Sequence, residues 1–151
     1  MLICLLNTVK SIQEIQEEIA GEFEVYDDWM DKYNYLIELS RDLPLIDPKL
    51  KVKENLISGC QSKVWLNADY SNGKIVFTAD SDAIITKGII ALLIRVMSDR
   101  EPEEVMNTDL FFIDRIGLRQ NLSPTRSNGL LSMIKQMKLY ALAYHTKAQV
   151  K

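Results

Sequence analysis

Residues that bind metal ions are scarce in this sequence: its 151 residues include two cysteines, Cys4 and Cys60, and one histidine, His145. A standard structural zinc site takes four cysteine or histidine ligands, which a single copy of the chain does not have. An iron–sulfur cluster held by four cysteines is excluded for the same reason. Two cysteines also do not form the disulfide framework of a small secreted domain, so we expect a reducing compartment, the cytoplasm.

Long apolar runs and an excess of positive charge are lacking too. Away from the N-terminus the longest apolar run spans residues 89–94, far short of the roughly 20 residues that cross a bilayer. Residues 1–7 are apolar, but no basic segment precedes the apolar stretch, which is unlike a signal peptide. The net charge is −3, whereas nucleic-acid-binding domains are usually basic. We therefore expect neither a membrane nor a nucleic acid as a partner.

The composition is that of an ordinary globular protein, with 47% hydrophobic and 26% charged residues, and the length predicts a single domain over 1–151. Apolar residues recur at helical spacing in residues 9–23, which predicts a first amphipathic helix. A second amphipathic helix is predicted over residues 29–37, with Asp27 or Asp28 as its N-cap. Alternation on both sides of Asn72-Gly73 predicts a β-hairpin with a type I′ turn.

The segment after the hairpin predicts a buried helix. Ser81 and Asp82 are candidate N-caps for a helix over about 83–97. Apolar residues cover nearly all sides of this segment, so we expect it to be the central core helix. Asp99 is a candidate N-cap for a short helix that follows it.

Two more helices are predicted in the C-terminal third, a short one over 109–116 and a long one from Ser123-Pro124 to about Thr146. The order of helices, hairpin and helices predicts an α+β fold in which helices pack on a small antiparallel sheet.

Charge is distributed unevenly between the two ends of the chain. Eight acidic residues and no basic one lie between Ser11 and Asp31, whereas six basic residues and no acidic one lie between Arg119 and Lys151. Two interpretations are open. The terminal helices present complementary solvated faces, or the basic C-terminal helix and the loop before it form a docking surface.

Cys60 is the candidate for chemistry. It follows Gly59 in a loop just before the first predicted strand, and glycine there allows a tight loop that presents a side chain. Lys63 and nearby backbone N–H groups are candidates to favour the reactive thiolate, and Ser62 is a candidate hydrogen-bond donor to sulfur. The alternative is that Cys60 is a small buried hydrophobic residue.

Partners for a conventional cysteine enzyme are few. A Cys–His dyad needs His145, near the end of the last predicted helix, to reach Cys60. Cys4, in the apolar N-terminal segment, is the one other thiol. A nucleophilic thiol without a base or a resolving cysteine is suited to accepting a group from another thiol, because a thiolate attacks sulfur directly.

Four segments resemble the SufE family, which includes CsdE. Residues 55–65, around Ser58-Gly59-Cys60-Gln61, resemble its cysteine loop. Residues 28–44 resemble its first conserved helix, and residues 80–91 resemble the start of its central helix. Residues 122–130 resemble its Leu-x-Pro-Ser-Arg-x-x-Gly-Leu segment, with threonine for serine at 125. The resemblance covers about residues 28–146 and leaves an additional helix in 1–26.

The resemblance implies a SufE/IscU-like α+β fold and a sulfur carrier that activates its donor. In this family a SufS-like or CsdA-like cysteine desulfurase donates sulfur, and a SufBCD-type scaffold for iron–sulfur assembly receives it. The pyridoxal phosphate of the reaction belongs to the desulfurase, so we expect no cofactor on this chain. The alternatives are an independent cysteine-dependent hydrolase or thiol oxidoreductase, or an interaction module in which Cys60 is incidental.

The resemblance also implies roles for single residues. Cys60 is the persulfide carrier, and Gly59, Gln61 and Ser62 shape its loop. Arg126 has a docking or persulfide-binding role, or it forms a cap or salt bridge at the start of the last helix.

Asp82 is an N-cap or couples loop opening to docking, because the start of its helix lies near the cysteine loop in this family. Trp65 belongs to the docking surface or packs across the strands. We further expect a sheltered thiol, with Leu56, Ile57 and Trp65 as apolar cover.

Overall fold

The computed structural model describes residues 10–149 and shows an α+β fold, as predicted. Six α-helices and one two-stranded antiparallel sheet follow in this order: α1 (Ile12–Glu24), α2 (Trp29–Ser40), β1 (Val64–Ser71), β2 (Lys74–Ser81), α3 (Ile84–Met97), α4 (Pro102–Asn107), α5 (Phe112–Arg115) and α6 (Pro124–Gln149). Short 3₁₀ turns occupy Pro48–Leu50, Lys53–Asn55 and Arg119–Asn121. None of the helices within residues 10–149 has the length and hydropathy that a membrane span requires.

The hairpin forms as its turn sequence predicts. Asn72 and Gly73 both have positive φ, 55° and 79°, as a type I′ turn requires, and they connect Ser71 to its register partner Lys74. One face of the sheet is buried, and α3 and α6 contact this hairpin. The buried strand residues are Val64, Leu66, Ala68, Ile75, Phe77 and Ala79. The sheet therefore contributes one side of the core and exposes the other to solvent.

Helix α3 lies at the centre of the core, as its apolar sequence predicts, and most of its residues are buried. It packs closely on α2, because a Cβ atom added at Gly88 would lie 2.3 Å from the carbonyl oxygen of Leu36. No side chain fits in that space. The two helix backbones therefore approach each other at a point where only glycine is accommodated.

Helix α1 is held to the core by ion pairs as well as by apolar packing. Arg95 on α3 contacts Glu22 at 2.6 Å and Glu18 at 3.2 Å, and Arg115 contacts Glu17 at 2.7 Å. The hydrogen bond from Arg95 holds the pKa of Glu22 below its usual value. Three acidic residues of α1 therefore form ion pairs with Arg95 on α3 and with Arg115 at the end of α5. The acidic N-terminal helix is thus attached to the core and is more than the solvated face that the charge pattern suggested.

Two predicted caps are wrong. Glu101, not Asp99, precedes α4 and forms a capping box with Glu104. Asp99 has a φ of 60° and donates its N–H to the carbonyl of Ile75, so it belongs to a turn that returns the chain to β2. Asp82 does not cap α3, whose N-cap position is Ala83 with no side-chain cap.

Three predicted helices also differ in extent. Helix α1 begins at Ile12, after Ser11 forms a capping box with Glu14, and residue 9, where the predicted pattern starts, lies outside the described residues. The short helix expected over 109–116 forms only at Phe112–Arg115, and α6 continues to Gln149.

We expect Gly88→Ala to destabilise the protein by about 1–3 kcal/mol, the usual cost of overpacking, because its methyl group meets the backbone of α2. Gly21→Ala is the matched control, since no atom lies within 4 Å of the added Cβ. This second change replaces glycine inside a helix and should add up to about 1 kcal/mol of stability. Urea unfolding of both variants measures the difference, and equal shifts for the two would contradict the packing described here.

Candidate functional site

Cys60 lies on a short loop whose two ends are tied together. The N–H of Ile57 donates to the carbonyl of Val64 at 2.9 Å, and Leu56 forms a β-bridge with Trp65. The residues between these contacts form a closed loop at the start of β1. A rigid strand therefore fixes the base of the loop, and Cys60 is near its tip.

The loop rests on α6 through two glycines. Gly59 has a φ of 89°, and a Cβ atom there would lie 2.5 Å from Oγ of Ser132. The Cys60 thiol donates to the carbonyl oxygen of Gly129 at 3.7 Å, and a Cβ atom at Gly129 would lie 3.5 Å from the sulfur. The absence of a side chain at Gly59 therefore lets the loop lie directly against the helix, and Cys60 is turned inward onto Gly129.

This position determines the acidity of the thiol. Cys60 is half-buried and packs against the hydrophobic core, and this burial raises the pKa of its thiol. Burial is the cause of the shift, so the expectation that Lys63 favours the thiolate is not met in this conformation. The resting site therefore holds a protonated and weakly nucleophilic thiol.

A cavity of about 320 Å³ adjoins the sulfur. It brings together Cys60 and three of the residues that the sequence indicated, Gln61, Ser62 and Arg126. It also includes six residues from α3, from α6 and from the loop before α6 that sequence reasoning did not assign to the site: Thr86, Ile89, Ser123, Thr125, Gly129 and Met133. Three of these six residues lie within the fourth motif, residues 122–130: Ser123, Thr125 and Gly129. Their place in that motif is the sequence signal that indicated them.

Asp82 joins the loop to the start of α3 instead of capping that helix. Its carboxylate accepts the N–H of Lys63 at 3.0 Å, and its own N–H donates to the Lys63 carbonyl at 3.2 Å. The Ser81 hydroxyl donates to the same carbonyl at 2.8 Å. These three bonds join the C-terminal side of the cysteine loop to the end of β2 and the segment that leads into α3. The N-cap assignment for Asp82 is therefore wrong.

Arg126 is exposed in the first turn of α6, on the solvent side of the cavity. Its backbone N–H donates to the Ser123 hydroxyl at 3.2 Å, so Ser123 provides the side-chain cap. Among residues 10–149 no carboxylate lies within 4.0 Å of the Arg126 guanidinium, and the salt-bridge alternative is not observed. The guanidinium therefore gives the cavity a positive charge at its opening.

The apolar cover of Cys60 differs from the one expected. Trp65 lies on the outer face of the hairpin beneath the ammonium of Lys51, which is 4.6 Å from the ring centroid. Leu56 pairs with Trp65, and neither residue lines the cavity. Ile57, the third expected residue, is buried in the core against which Cys60 packs. The apolar residues that line the cavity beside Cys60 are Ile89 on α3 and Met133 on α6, which are distant in sequence from the loop.

The described residues do not supply a general base for Cys60. His145 lies 16 positions after Gly129 on α6, about 24 Å along the axis at 1.5 Å per residue. Its ring contacts Gln149. Within residues 10–149 no group of three or more histidine, cysteine or acidic side chains is arranged to hold a metal ion. Cys4 lies outside the described residues.

Comparison with known proteins extends these observations. The chain is 34% identical over 145 residues to SufE-like protein 1, chloroplastic/mitochondrial, of Arabidopsis thaliana, a match that covers 95% of this chain and 39% of that protein. It is 39% identical over 127 residues to an uncharacterized SufE-like protein of Rhizobium etli, covering 81% of this chain and 86% of the other. The chain thus spans well under half the length of the Arabidopsis relative and most of the bacterial one.

A solved structure and a family match agree with this result. The solution structure of a hypothetical protein from Thermus thermophilus shares the fold, with a TM-score of 0.72 at 19% identity, over 87% of this chain and 96% of that one. The SufE family, described as an Fe-S metabolism associated domain, matches residues 17–141, so the match begins within α1, ahead of the first motif. The chain belongs to the SufE family.

Proposed function

We propose that this protein accepts sulfur from a cysteine desulfurase as a persulfide on Cys60 and delivers it to iron–sulfur cluster assembly. The observation that carries the proposal is the single thiol on a closed loop, turned toward a cavity, with no general base or metal group beside it in the described residues. Membership in a family associated with Fe-S metabolism supports it. A SufS-like or CsdA-like desulfurase is the proposed donor, and a SufBCD-type scaffold is the proposed acceptor.

The transfer requires no oxidant. The Cys60 thiolate attacks the outer sulfur of the persulfide carried by the desulfurase cysteine. The new sulfur–sulfur bond forms on Cys60 while the bond in the donor breaks, and the electron pair of that bond leaves with the donor cysteine as a thiolate. Delivery repeats the same exchange on an acceptor thiol. The pyridoxal phosphate remains on the desulfurase, and a reducing compartment such as the cytoplasm keeps Cys60 available.

The inward position of Cys60 has a function in this scheme. A persulfide that small thiols reach is lost before delivery, whereas one enclosed between the loop and α6 is protected. The same enclosure makes the free thiol a weak nucleophile, because burial raises its pKa. We therefore propose that docking on the desulfurase lifts the loop away from α6, exposes Cys60 and lowers its pKa.

An independent cysteine-dependent hydrolase or thiol oxidoreductase has no observation in its favour. Such an enzyme needs a base or a second thiol beside the nucleophile. His145 is about 24 Å along α6 from the point of contact with Cys60, by the helical rise of 1.5 Å per residue. Within residues 10–149 no base or second thiol lies beside Cys60, which favours activation of the thiol by a partner.

Cys60→Ser should bind the desulfurase with unchanged affinity and abolish its stimulation, because the serine hydroxyl does not accept sulfur. Calorimetric titration measures the affinity, and alanine production from L-cysteine measures the stimulation. Ser58→Ala is the control, since Ser58 is exposed in the same loop and does not line the cavity. Stimulation by Cys60→Ser equal to that of the unmodified protein would refute the carrier mechanism.

Alkylation of Cys60 should be slow in the folded protein and should depend on reagent size. Because the folded-state pKa is raised, the thiolate fraction at neutral pH is smaller than in the unfolded chain, and the midpoint of the pH–rate curve should lie above that of the unfolded chain. We expect a bulky maleimide to be slowed more than iodoacetamide. Peptide-resolved mass spectrometry follows Cys60 separately from Cys4. Equal maleimide rates in folded and urea-unfolded protein would contradict the sheltered site.

Gly59→Ala should release the loop, because its methyl group meets Ser132 and its left-handed backbone disfavours alanine. We expect the maleimide rate at Cys60 to rise by about tenfold. This rise corresponds to a loss of roughly 1.4 kcal/mol from the free energy that holds the loop against α6. Gly73→Ala is the matched control, because Gly73 has a similar φ of 79° but no atom within 4 Å of the added Cβ. A similar rate increase in both variants would mean that general destabilisation, and not the contact with α6, controls access.

A further inference from the structure

The cavity beside Cys60 contains hydrogen-bond donors that the resting thiol does not use. Most of its polar residues are exposed or half-exposed, whereas Thr86 on α3 has only 7% of its surface exposed. Thr86 is therefore the most buried hydroxyl-bearing residue of the cavity lining. It belongs to α3 and thus to the rigid centre of the core.

The Thr86 hydroxyl lacks the partner that a buried hydroxyl normally has. Threonine in a helix commonly donates to the carbonyl one turn earlier, as Thr146 does to Leu142 at 2.9 Å. Among the side-chain hydrogen bonds formed within residues 10–149, none involves Thr86. Among the described residues, Arg100 Nε is the one fully buried side-chain polar atom without a hydrogen-bond partner. The Thr86 hydroxyl forms no such bond and is not fully buried, so it is accessible from the cavity. A hydroxyl that is accessible from the cavity and forms no bond with the described residues is available as a donor to a group held there.

The geometry at Cys60 restricts where an added sulfur atom can lie. The sulfur is already in contact with α6, 3.7 Å from the Gly129 carbonyl oxygen. A second sulfur, attached by a bond of about 2.0 Å, has to extend away from that backbone, and the cavity that Cys60 lines offers space for it. An ionised persulfide no longer donates to Gly129, so it needs donors from the cavity. Within the lining, Arg126 is the one charged side chain, and no acidic residue is present.

We propose that the Thr86 hydroxyl donates a hydrogen bond to the terminal sulfur of the inward-facing Cys60 persulfide. Ile89 and Met133 form the apolar wall of this terminal-sulfur site, and Arg126 is the cation on its solvent side. The inference rests on the proposed function, because it assigns a holding site to the sulfur that Cys60 carries. Thr86 is a positioning residue here and takes no part in bond making.

Thr86→Val and Thr86→Ser test this site. Valine keeps the shape and removes the donor, while serine keeps the donor. Inorganic polysulfide loads Cys60 without a desulfurase: the thiolate attacks a polysulfide sulfur, and the shortened polysulfide leaves as an anion. Iodoacetamide labelling at a series of pH values, read by peptide mass spectrometry, gives the apparent pKa of the persulfide.

We expect Thr86→Val to raise this apparent pKa by about one unit, which corresponds to a tenfold loss of anion stabilisation. Thr86→Ser should restore the value of the unmodified protein. A loss of packing alone would not produce this pattern, because serine removes a methyl group that valine retains. Identical pH profiles for Thr86→Val and the unmodified protein would overturn the proposal.

A parallel loading with desulfurase and L-cysteine separates the two proposals. If the desulfurase does not load Cys60 but the pH shift with polysulfide is present, the terminal-sulfur site stands and the proposed donor is wrong. If the desulfurase loads Cys60 and the profiles do not differ, the carrier function stands and the role of Thr86 is refuted. Circular dichroism and urea unfolding show that both variants are folded.

Discussion

The contact between the cysteine loop and α6 determines the chemical state of Cys60. Gly59 lies against Ser132 at a separation too short for an added Cβ atom, and Cys60 lies against Gly129, where an added Cβ atom would be in van der Waals contact with the sulfur. The contact places the sulfur in a half-buried position, where burial raises the pKa of the thiol. A thiol held in this way is sheltered and less acidic than a free one. In the function we propose, the contact between the loop and α6 therefore controls the reaction, and a neighbouring base does not.

The rest of the fold holds the two sides of this contact in place. The base of the loop is tied by the hydrogen bond from Ile57 to Val64, and its C-terminal side is tied to α3 through Asp82 and Lys63. Helix α3 is fixed in turn by its close approach to α2 at Gly88. These contacts leave the few residues around Cys60 as the part of the loop not tied to the hairpin or to α3. In the function we propose, a partner that docks there exposes the thiol without disturbing the core.

The sequence was informative where local chemistry dictates structure. Asn72-Gly73 predicted the turn because few other residues adopt its backbone angles, and the apolar surface of α3 predicted its burial. Cys60 and its loop were found through the motif that surrounds them. Capping was less predictable, because Asp82 and Asp99 are suited to either a cap or a turn, and the surrounding backbone decides between them.

The cavity was the least predictable feature. Thr86, Ile89 and Met133 line the cavity with Cys60 because α3 and α6 both pack near the loop. The resemblance placed the start of α3 near the loop, but it did not indicate which of its side chains line the cavity, and it gave no signal for Met133. Mass spectrometry of the unmodified protein, after incubation with L-cysteine and a purified desulfurase, tests the central claim most directly. The expected result is one additional sulfur atom on the peptide that contains Cys60. Sulfur found only on the Cys4 peptide, or on neither peptide with any SufS-like or CsdA-like desulfurase, would contradict the carrier function.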